Sequence, residues 1–404
     1  MRSRFGPVLL LSVLSATPSE GQAPQTPALA RCFTKDFRSD VRGAVAGYAT
    51  IAGIPGVSVG VVVRDSLVYA DGVGFANRTQ RIPATAETPY NVASVTKLFT
   101  ATLALQLAAE GRLDLDAPVS RYLPDSVRVP TDAAGQHITV RHLLTHTAGL
   151  PPNPPNRRNQ RAAGPIDPGV WDAYDVADLY RALATTTLRG RVGSSMVYSN
   201  YGYALLGHVV ERVAQQPYEQ LLRSRLLTPL GMTTSGITLT PAQSRRLAAF
   251  YWDRDDARAE QQVHARFGTV AGFIGLTSTV RDLSAFLRAQ LGTSASRRAV
   301  VSPSVAQRMR EPQVQLDTTN RTHRVDMALG WFREVALDNP SATPLLWHYG
   351  EIDGQASAVL LQPQEQRGVI VLQNLGGDTG AAATEQIGRW LLQRTGTELA
   401  RCRH

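Results

Sequence analysis

Lysine is almost missing from this chain. Of 42 basic residues only Lys35 and Lys97 are lysine, and every other one is arginine. Cysteine is just as scarce: Cys32 and Cys402 are the only two. That excludes a disulfide-stapled miniature scaffold and a cysteine-ligated metal cluster. After Leu14 no stretch supplies the ~18 uninterrupted apolar residues of a membrane helix, so no further span is expected. No segment repeats, which excludes a solenoid or a propeller. Nor do the arginines form a stripe, although the formal net charge is +9. They are scattered, and the tightest cluster, Arg157, Arg158 and Arg161, falls in a proline-rich loop. With no recognisable nucleic-acid module beside them, a nucleic-acid partner is not expected.

What is present describes an ordinary globular chain behind an export signal. At 404 residues, 43% hydrophobic and 19% charged, it suffices for one large domain or two. Met1-Arg2-Ser3-Arg4 is a basic start, Phe5 to Leu14 is apolar, and Ala16 and Gly21-Gln22-Ala23 offer small residues for cleavage. This reads as a secretory signal peptide over 1–23. A disordered leader over 24–31, rich in Pro, Gln and Thr, is expected to follow. The mature chain is then expected in the periplasm or outside the cell, as a monomer without a membrane span. In that oxidising setting Cys32 and Cys402 are expected to pair, since neither has a rival within the chain.

Periodicity sets out the rest. Phe37 to Ile51 repeats its apolar residues as a helix does, and Gly56 to Val63 is β-branched and uninterrupted, a buried strand. Leu67 to Ala70 begins a second strand. A helix through Leu98, Ala101, Leu105 and Ala109 is apolar all round and must be buried. From about 113 to 290 helices alternate with long loops: Val140–Leu144, Ala177–Leu183, Tyr203–Ala214 and Tyr218–Leu227 read as helical. Thr279 to Asp282 reads as a capping box opening the helix Leu283–Leu291. Strand character returns at Leu345–Tyr349, Ala356–Leu361 and Gly368–Leu372, before a last helix from about Ala381 to Arg394. The expected fold is α/β of the α+β kind. An antiparallel sheet of five or more strands is built from both ends of the chain, with the first and last helices on one face. A mostly helical part, about 96–324, is inserted into an α/β part of about 33–95 and 325–402, the whole domain spanning 32–402.

Lys97 is the residue that asks for chemistry. It closes Ser94-Val95-Thr96-Lys97, and Ser-x-x-Lys at a helix start puts hydroxyl and amine on one face, one turn apart. Arg could not replace an amine that must lose its proton, whereas a buried Lys can be depressed until it is a base. The pair is the arrangement of an activated serine nucleophile, though so short a pattern also arises by chance. Two further clusters fit it. Tyr198-Ser199-Asn200 could be a plain turn, or could bring a phenol of lowered pKa to shuttle the proton and an amide to hold an amine or a substrate carbonyl. His348-Tyr349-Gly350 ends a strand, where Gly allows a substrate backbone close approach and His348 offers a donor. His142, His146 and His208 read as structural.

The order Ser94-x-x-Lys97, Tyr198-x-Asn200, His348-x-Gly350 resembles the serine β-lactamase and penicillin-binding superfamily, in its class C-like branch. That branch holds class C β-lactamases, DD-peptidases, D-aminopeptidases and related esterases. Val140 to Pro151, Tyr198 to Leu206, Pro229-Leu230-Gly231-Met232, Gly275 to Leu287 and Leu329-Gly330-Trp331-Phe332 are similar to it as well, so the resemblance covers about Phe33 to Leu392. It implies a β-lactamase/transpeptidase-like fold and an acyl-enzyme on Ser94, with Lys97 and Tyr198 moving the proton in an order left open. It also implies an oxyanion hole from the backbone N–H groups of Ser94 and Glu351, with the Glu351 side chain facing the cleft. No metal or cofactor is implied.

Two departures matter. Efficient β-lactamases of this branch carry Lys-Thr-Gly at the third motif, where a cation binds the substrate carboxylate; here His348, neutral or partly charged near pH 7, stands instead. Prolines also follow Gly149-Leu150, where a Gln would position a β-lactam amide. Both favour a peptidase, esterase or amidase with weak penicillin turnover, acting on small molecules or short peptides. The alternatives are a non-catalytic sensor of cell-wall peptides with the same fold, and a basic surface-binding protein resting on charge alone.

Overall fold

The computed structural model describes residues 27–156, 174–252, 267–293, 299–316, 322–339 and 341–402. The expected signal peptide and the Arg157, Arg158 and Arg161 cluster lie outside these residues.

Among the described residues eleven strands form: β1 Gly56–Val63, β2 Ser66–Asn77, β3 Ile82–Pro83, β4 Tyr90–Asn91, β5 Thr277–Ser278, β6 Val314–Gln315, β7 His323–Met327, β8 Phe332–Ala336, β9 Leu345–Ile352, β10 Gln355–Gln362 and β11 Arg367–Gln373. Nine of them make one sheet in the order β3-β2-β1-β11-β10-β9-β8-β7-β6, while β4 and β5 pair separately. Every pairing is antiparallel, and β1 lies directly on β11, Val59 opposite Val371, so the two ends of the chain meet at the sheet centre. The uninterrupted apolar text of β1 follows from that position, because both faces of a central strand are covered. Val57, Val59 and Val61 join one core with Val369 and Val371, and Val62 joins the other with Ile370 and Leu372.

The helix Lys35–Ala52 starts where Thr34 accepts from the Phe37 amide and stops at Gly53 in the left-handed region, φ 70°. Its stripe of Phe37, Val41, Val45 and Ala49 packs with Ile387 and Leu391 of the C-terminal helix Gly377–Arg401 in one core, together with the valines of β1 and β11. Helix Val280–Leu291 contributes Leu283 and Phe286 to the other core. Its cap is only half the expected box. Thr279 accepts from the Asp282 amide at 3.1 Å, but the Asp282 carboxylate turns to Thr234 N (2.9 Å) and Ser235 Oγ (2.8 Å). Strands β6 to β8 went unread because their text, such as His323-Arg324-Val325-Asp326-Met327, mixes charge with apolar residues. Such segments become strands through their neighbours.

The expected disordered leader over 24–31 needs correction from Pro27 onward, while 24–26 lie outside the described residues. Pro27–Cys32 is helical, with Leu29 and Cys32 buried. Leu29 shares the core of Phe33 and Phe37, and the expected disulfide is made: Cys32 and Cys402 are bonded with Cα atoms 5.4 Å apart. A covalent anchor and a buried Leu overcome a composition that looks disordered. Among the described residues no helix is long and apolar enough to cross a membrane.

Because that bridge closes a loop across 370 residues of sequence, the Cys32→Ser/Cys402→Ser variant is expected to lose about 2–4 kcal/mol of stability in urea unfolding. Thiol titration of the unreduced, denatured wild type should find no free thiol. Superimposable unfolding curves would show the bridge to be without effect on stability.

Candidate active site

The Ser-x-x-Lys segment is built at a change of structure. Strand β4 ends at Asn91, a 3₁₀ turn spans Ala93–Val95, and the helix Thr96–Ala109 follows. That helix buries Leu98, Phe99, Leu103 and Leu105 completely, and the three-residue spacing brings Ser94 and Lys97 to the same side. Ser94 stays partly open to solvent while Lys97 is wholly buried.

Lys97 Nζ makes three polar contacts: Ser94 Oγ at 2.8 Å, Asn200 Oδ1 at 2.9 Å and the Phe273 carbonyl at 3.3 Å. The rings of Tyr198 and Phe273 lie 4.9 and 5.2 Å from the nitrogen. None of its partners among the described residues is a carboxylate. Burial therefore pushes the amine's pKa well below its ordinary value, since a charge in such a place goes unpaired. A neutral amine has two hydrogens and one lone pair. As an ammonium Lys97 donates to Ser94 Oγ as well; once it has lost a proton, the two oxygens that can only accept, on Asn200 and Phe273, can take both hydrogens and leave the lone pair for the Ser94 hydroxyl.

The second motif is brought to the same place. Ser199 caps the helix Asn200–Ala214, accepting from Gly202 N at 2.9 Å and donating to the Pro151 carbonyl at 2.7 Å. The Asn200 amide donates to Pro152 O at 2.8 Å. Tyr198 hydrogen-bonds the Ser94 side chain. Its phenol is not the low-pKa group expected: burial pushes it upward. Burial disfavours both charged forms, so a phenol and an amine are favoured over an ion pair. His146, read as structural, supports this turn from below. Its Nδ1 accepts from Ser199 N at 3.0 Å, and its ring lies 4.4 Å from that of Tyr198.

The third motif arrives on β9. His348 is buried, and its Nδ1 lies 2.8 Å from the Tyr349 carbonyl. A carbonyl only accepts, so Nδ1 carries the proton and Nε2 is left as a lone pair. Nε2 is buried without a partner among the described residues. Desolvation first, and Lys97 second, lower the imidazole to about 3, so it is neither cation nor Nε2 donor at neutral pH. Gly350 is there because nothing larger fits. A Cβ would lie 2.3 Å from Val92 O, 2.5 Å from Ser357 Oγ and 3.0 Å from Ser94 N. Glu351 departs from expectation, since its carboxylate accepts from the Gly377 amide at 2.8 Å at the start of the C-terminal helix. Alternation along β9 puts it on the Tyr349 side, opposite His348.

Sequence reasoning missed Asn153. Its Oδ1 accepts from Asn200 Nδ2 at 3.2 Å, which turns the Asn200 oxygen toward Lys97. The signal was available: Asn153 is the carboxamide set among the prolines after Gly149-Leu150, where a Gln had been sought. Also missed was the Phe273 carbonyl, which no side-chain pattern announces. Among the described residues no group of three His, Cys, Asp or Glu is placed to hold a metal.

A mixed α/β fold carrying these three motifs in this order is that of the serine β-lactamase and penicillin-binding superfamily. A profile of the β-lactamase family matches residues 41–393, and the chain belongs to that family. Protein flp of Staphylococcus aureus (strain COL) is 26% identical over 328 residues, covering 80% of this chain and 60% of that protein. Uncharacterized protein MT1414 of Mycobacterium tuberculosis is 32% identical over 250 residues, covering 57% of this chain and 60% of its own. The chain therefore spans about three-fifths of the length of these curated relatives. Two solved structures share the fold at 23% identity. The β-lactamase/D-alanine carboxypeptidase of Yersinia pestis gives a TM-score of 0.73 over 91% of this chain and 100% of its own. The octameric penicillin-binding protein homologue of Pyrococcus abyssi gives 0.71 over 88% and 76%.

Proposed function

We propose that this protein is an exported serine hydrolase that forms an acyl-enzyme on Ser94 from small esters, amides or D-amino-acid peptides, with β-lactams as poorer substrates. The observation that carries the reading is the buried Lys97 amine, its pKa pushed down by burial, 2.8 Å from Ser94 Oγ and beside two oxygens that can only accept. Lys97 takes the Ser94 proton as Oγ attacks the carbonyl carbon. The negative charge moves to the carbonyl oxygen, between the backbone amides of Ser94 and Glu351. Such donors are each worth roughly 3–4 kcal/mol of barrier. Tyr198, kept protonated by its surroundings, gives its proton to the departing oxygen or nitrogen and is reprotonated from Lys97. Water then releases the acyl group by the same steps in reverse. Asn200 and Asn153 provide carboxamides for the substrate. Export is supported by the signal-like start and by the Cys32–Cys402 disulfide.

The state of His348 supports neutral acyl donors over carboxylate-bearing ones. An imidazole lone pair repels a carboxylate, where a lysine at that position would attract it. His348→Lys is accordingly expected to raise kcat/KM for carboxylate-bearing substrates relative to neutral esters by about 3–5-fold, the value of a modest new ion pair. In wild type no ionisation of His348 should appear in kcat/KM between pH 5 and 9. An unchanged substrate ratio in the variant would remove His348 from the substrate's surroundings.

Incubation with a fluorophosphonate probe and a panel of short esters, D-Ala-D-Ala peptides and penicillins, followed by intact-mass measurement, tests the reading. A mass adduct on Ser94 with turnover supports it. An adduct that forms but never turns over identifies the non-catalytic sensor instead.

A further inference from the structure

Ala93, directly before the nucleophile, has φ +46°. That left-handed conformation brings Cβ against the backbone and is unfavourable for any residue but glycine. Strain of this kind persists only where surrounding structure enforces it, and it gathers at functional sites. Here the enforcing groups can be named. The Ala93 amide donates to Asn91 Oδ1 at 2.7 Å, and the Asn91 amide donates to Gln355 Oε1 at 2.8 Å. Gln355 Nε2 donates in turn to the Ala248 carbonyl at 2.7 Å. Asn91 is 2% exposed and Gln355 fully buried, so the chain of bonds is shielded from competing water. The neighbouring peptide is held from the same side, for Ser357 Oγ donates to the Val92 carbonyl at 2.8 Å.

The origin of these braces is informative. Gln355 and Ser357 lie on β10, the partner of β9 in one hairpin, where Gly350 faces Ser357 and Glu351 faces Ala356. One hairpin thus carries both the strand beside the Ser94 amide and the side chains that hold the turn bearing that amide. The missing Cβ of Gly350, 3.0 Å from Ser94 N, marks how closely the two parts approach.

We infer that Asn91 and Gln355, with Ser357, are positioning residues that lock Ala93 in its left-handed conformation and so set the Ser94 amide at a fixed distance from β9 for oxyanion binding. The inference rests on the proposed hydrolase reading. Wild-type turnover is therefore measured first: no labelling and no ester hydrolysis by the wild type would sink that reading, not this one.

The test compares a chromogenic short-chain ester with its thionoester, whose sulfur fits poorly in a hole spaced for oxygen. In Asn91→Ala, kcat for the ester is expected to fall by roughly 10–100-fold, short of the 10²–10³ seen when an oxyanion donor is removed outright. KM should stay within about twofold, the signature of a contact felt in the transition state. The oxygen-to-sulfur rate ratio should fall at least several-fold, which general loosening of the fold would not cause. Ala93→Gly supplies the conservative rescue. Because glycine adopts a positive φ without being held, Asn91→Ala should cost several-fold less kcat in the Ala93→Gly background than in wild type. Where Asn91→Ala yields no folded protein, Ser357→Ala carries the same measurements, with an expected loss of about tenfold in kcat and the same fall in the ratio. Retained kcat, an unchanged oxygen-to-sulfur ratio, or equal costs of Asn91→Ala in both backgrounds would each overturn the inference.

Discussion

Ser94→Ala is expected to abolish labelling by a fluorophosphonate probe and to lower ester hydrolysis by about 10⁴–10⁶-fold, the loss seen when a nucleophile is removed from an otherwise intact site. The variant should fold normally. Ser94 is partly solvent-exposed, and losing one hydroxyl leaves no cavity of consequence. Lys97 would keep its contacts to Asn200 and Phe273, so its environment should change little. Any residual rate would come from binding and the oxyanion amides alone. Undiminished labelling would place the reactive group on another residue and end the assignment of Ser94.

Much of this site is legible in sequence because its parts are local. Ser94 and Lys97 are one helical turn apart, and the near-absence of lysine makes the pair conspicuous. Tyr198, Ser199 and Asn200 are adjacent, as are His348 and Gly350, so short windows reveal them. The strands at the sheet centre, β1, β10 and β11, are legible for a related reason: burial on both faces writes a near-continuous apolar run. What could not be read is set by partners far away in the chain. Asn91 and Gln355 are joined across 264 residues, and neither looks unusual in its own neighbourhood. The charge state of Tyr198 was misjudged on the same ground, and that of His348 was left open between neutral and partly charged. Tyr198 keeps its proton and His348 lacks one because of what packs over them, and no sequence window displays that. The carboxylate of Glu351 was misplaced because its partner, the Gly377 amide, opens a helix that periodicity had started four residues later. The leader resisted composition because a disulfide and one leucine anchor it.

Lys97→Arg is the sharper test of how the proton moves. Arginine keeps a cation but cannot surrender its proton in a protein, so the variant should be nearly as damaged as Lys97→Ala. Losing a general base costs roughly 10²–10⁴ in kcat/KM. The pH profile separates the roles further. Burial lowers the Lys97 pKa in the folded protein, and the base form is the one that acts. Wild-type kcat/KM should therefore rise with pH as the amine loses its proton and level off above that pKa. This ascending limb should vanish in Lys97→Arg. Stability carries the matching sign. In the unfolded chain Lys97 binds a proton up to about pH 10.4, whereas the folded chain releases it at lower pH. Between those two values the unfolded state holds more protons, so Lys97 makes the protein gain stability as pH rises across the window and lose it as pH falls. Lys97→Met, which keeps the length and removes the ionisation, should therefore be more stable than wild type at pH 6 and should lose that advantage toward pH 10, as read from urea midpoints. A Lys97→Arg enzyme with near-native rates and an intact ascending limb would leave Lys97 as an anchor only and assign the base to Tyr198.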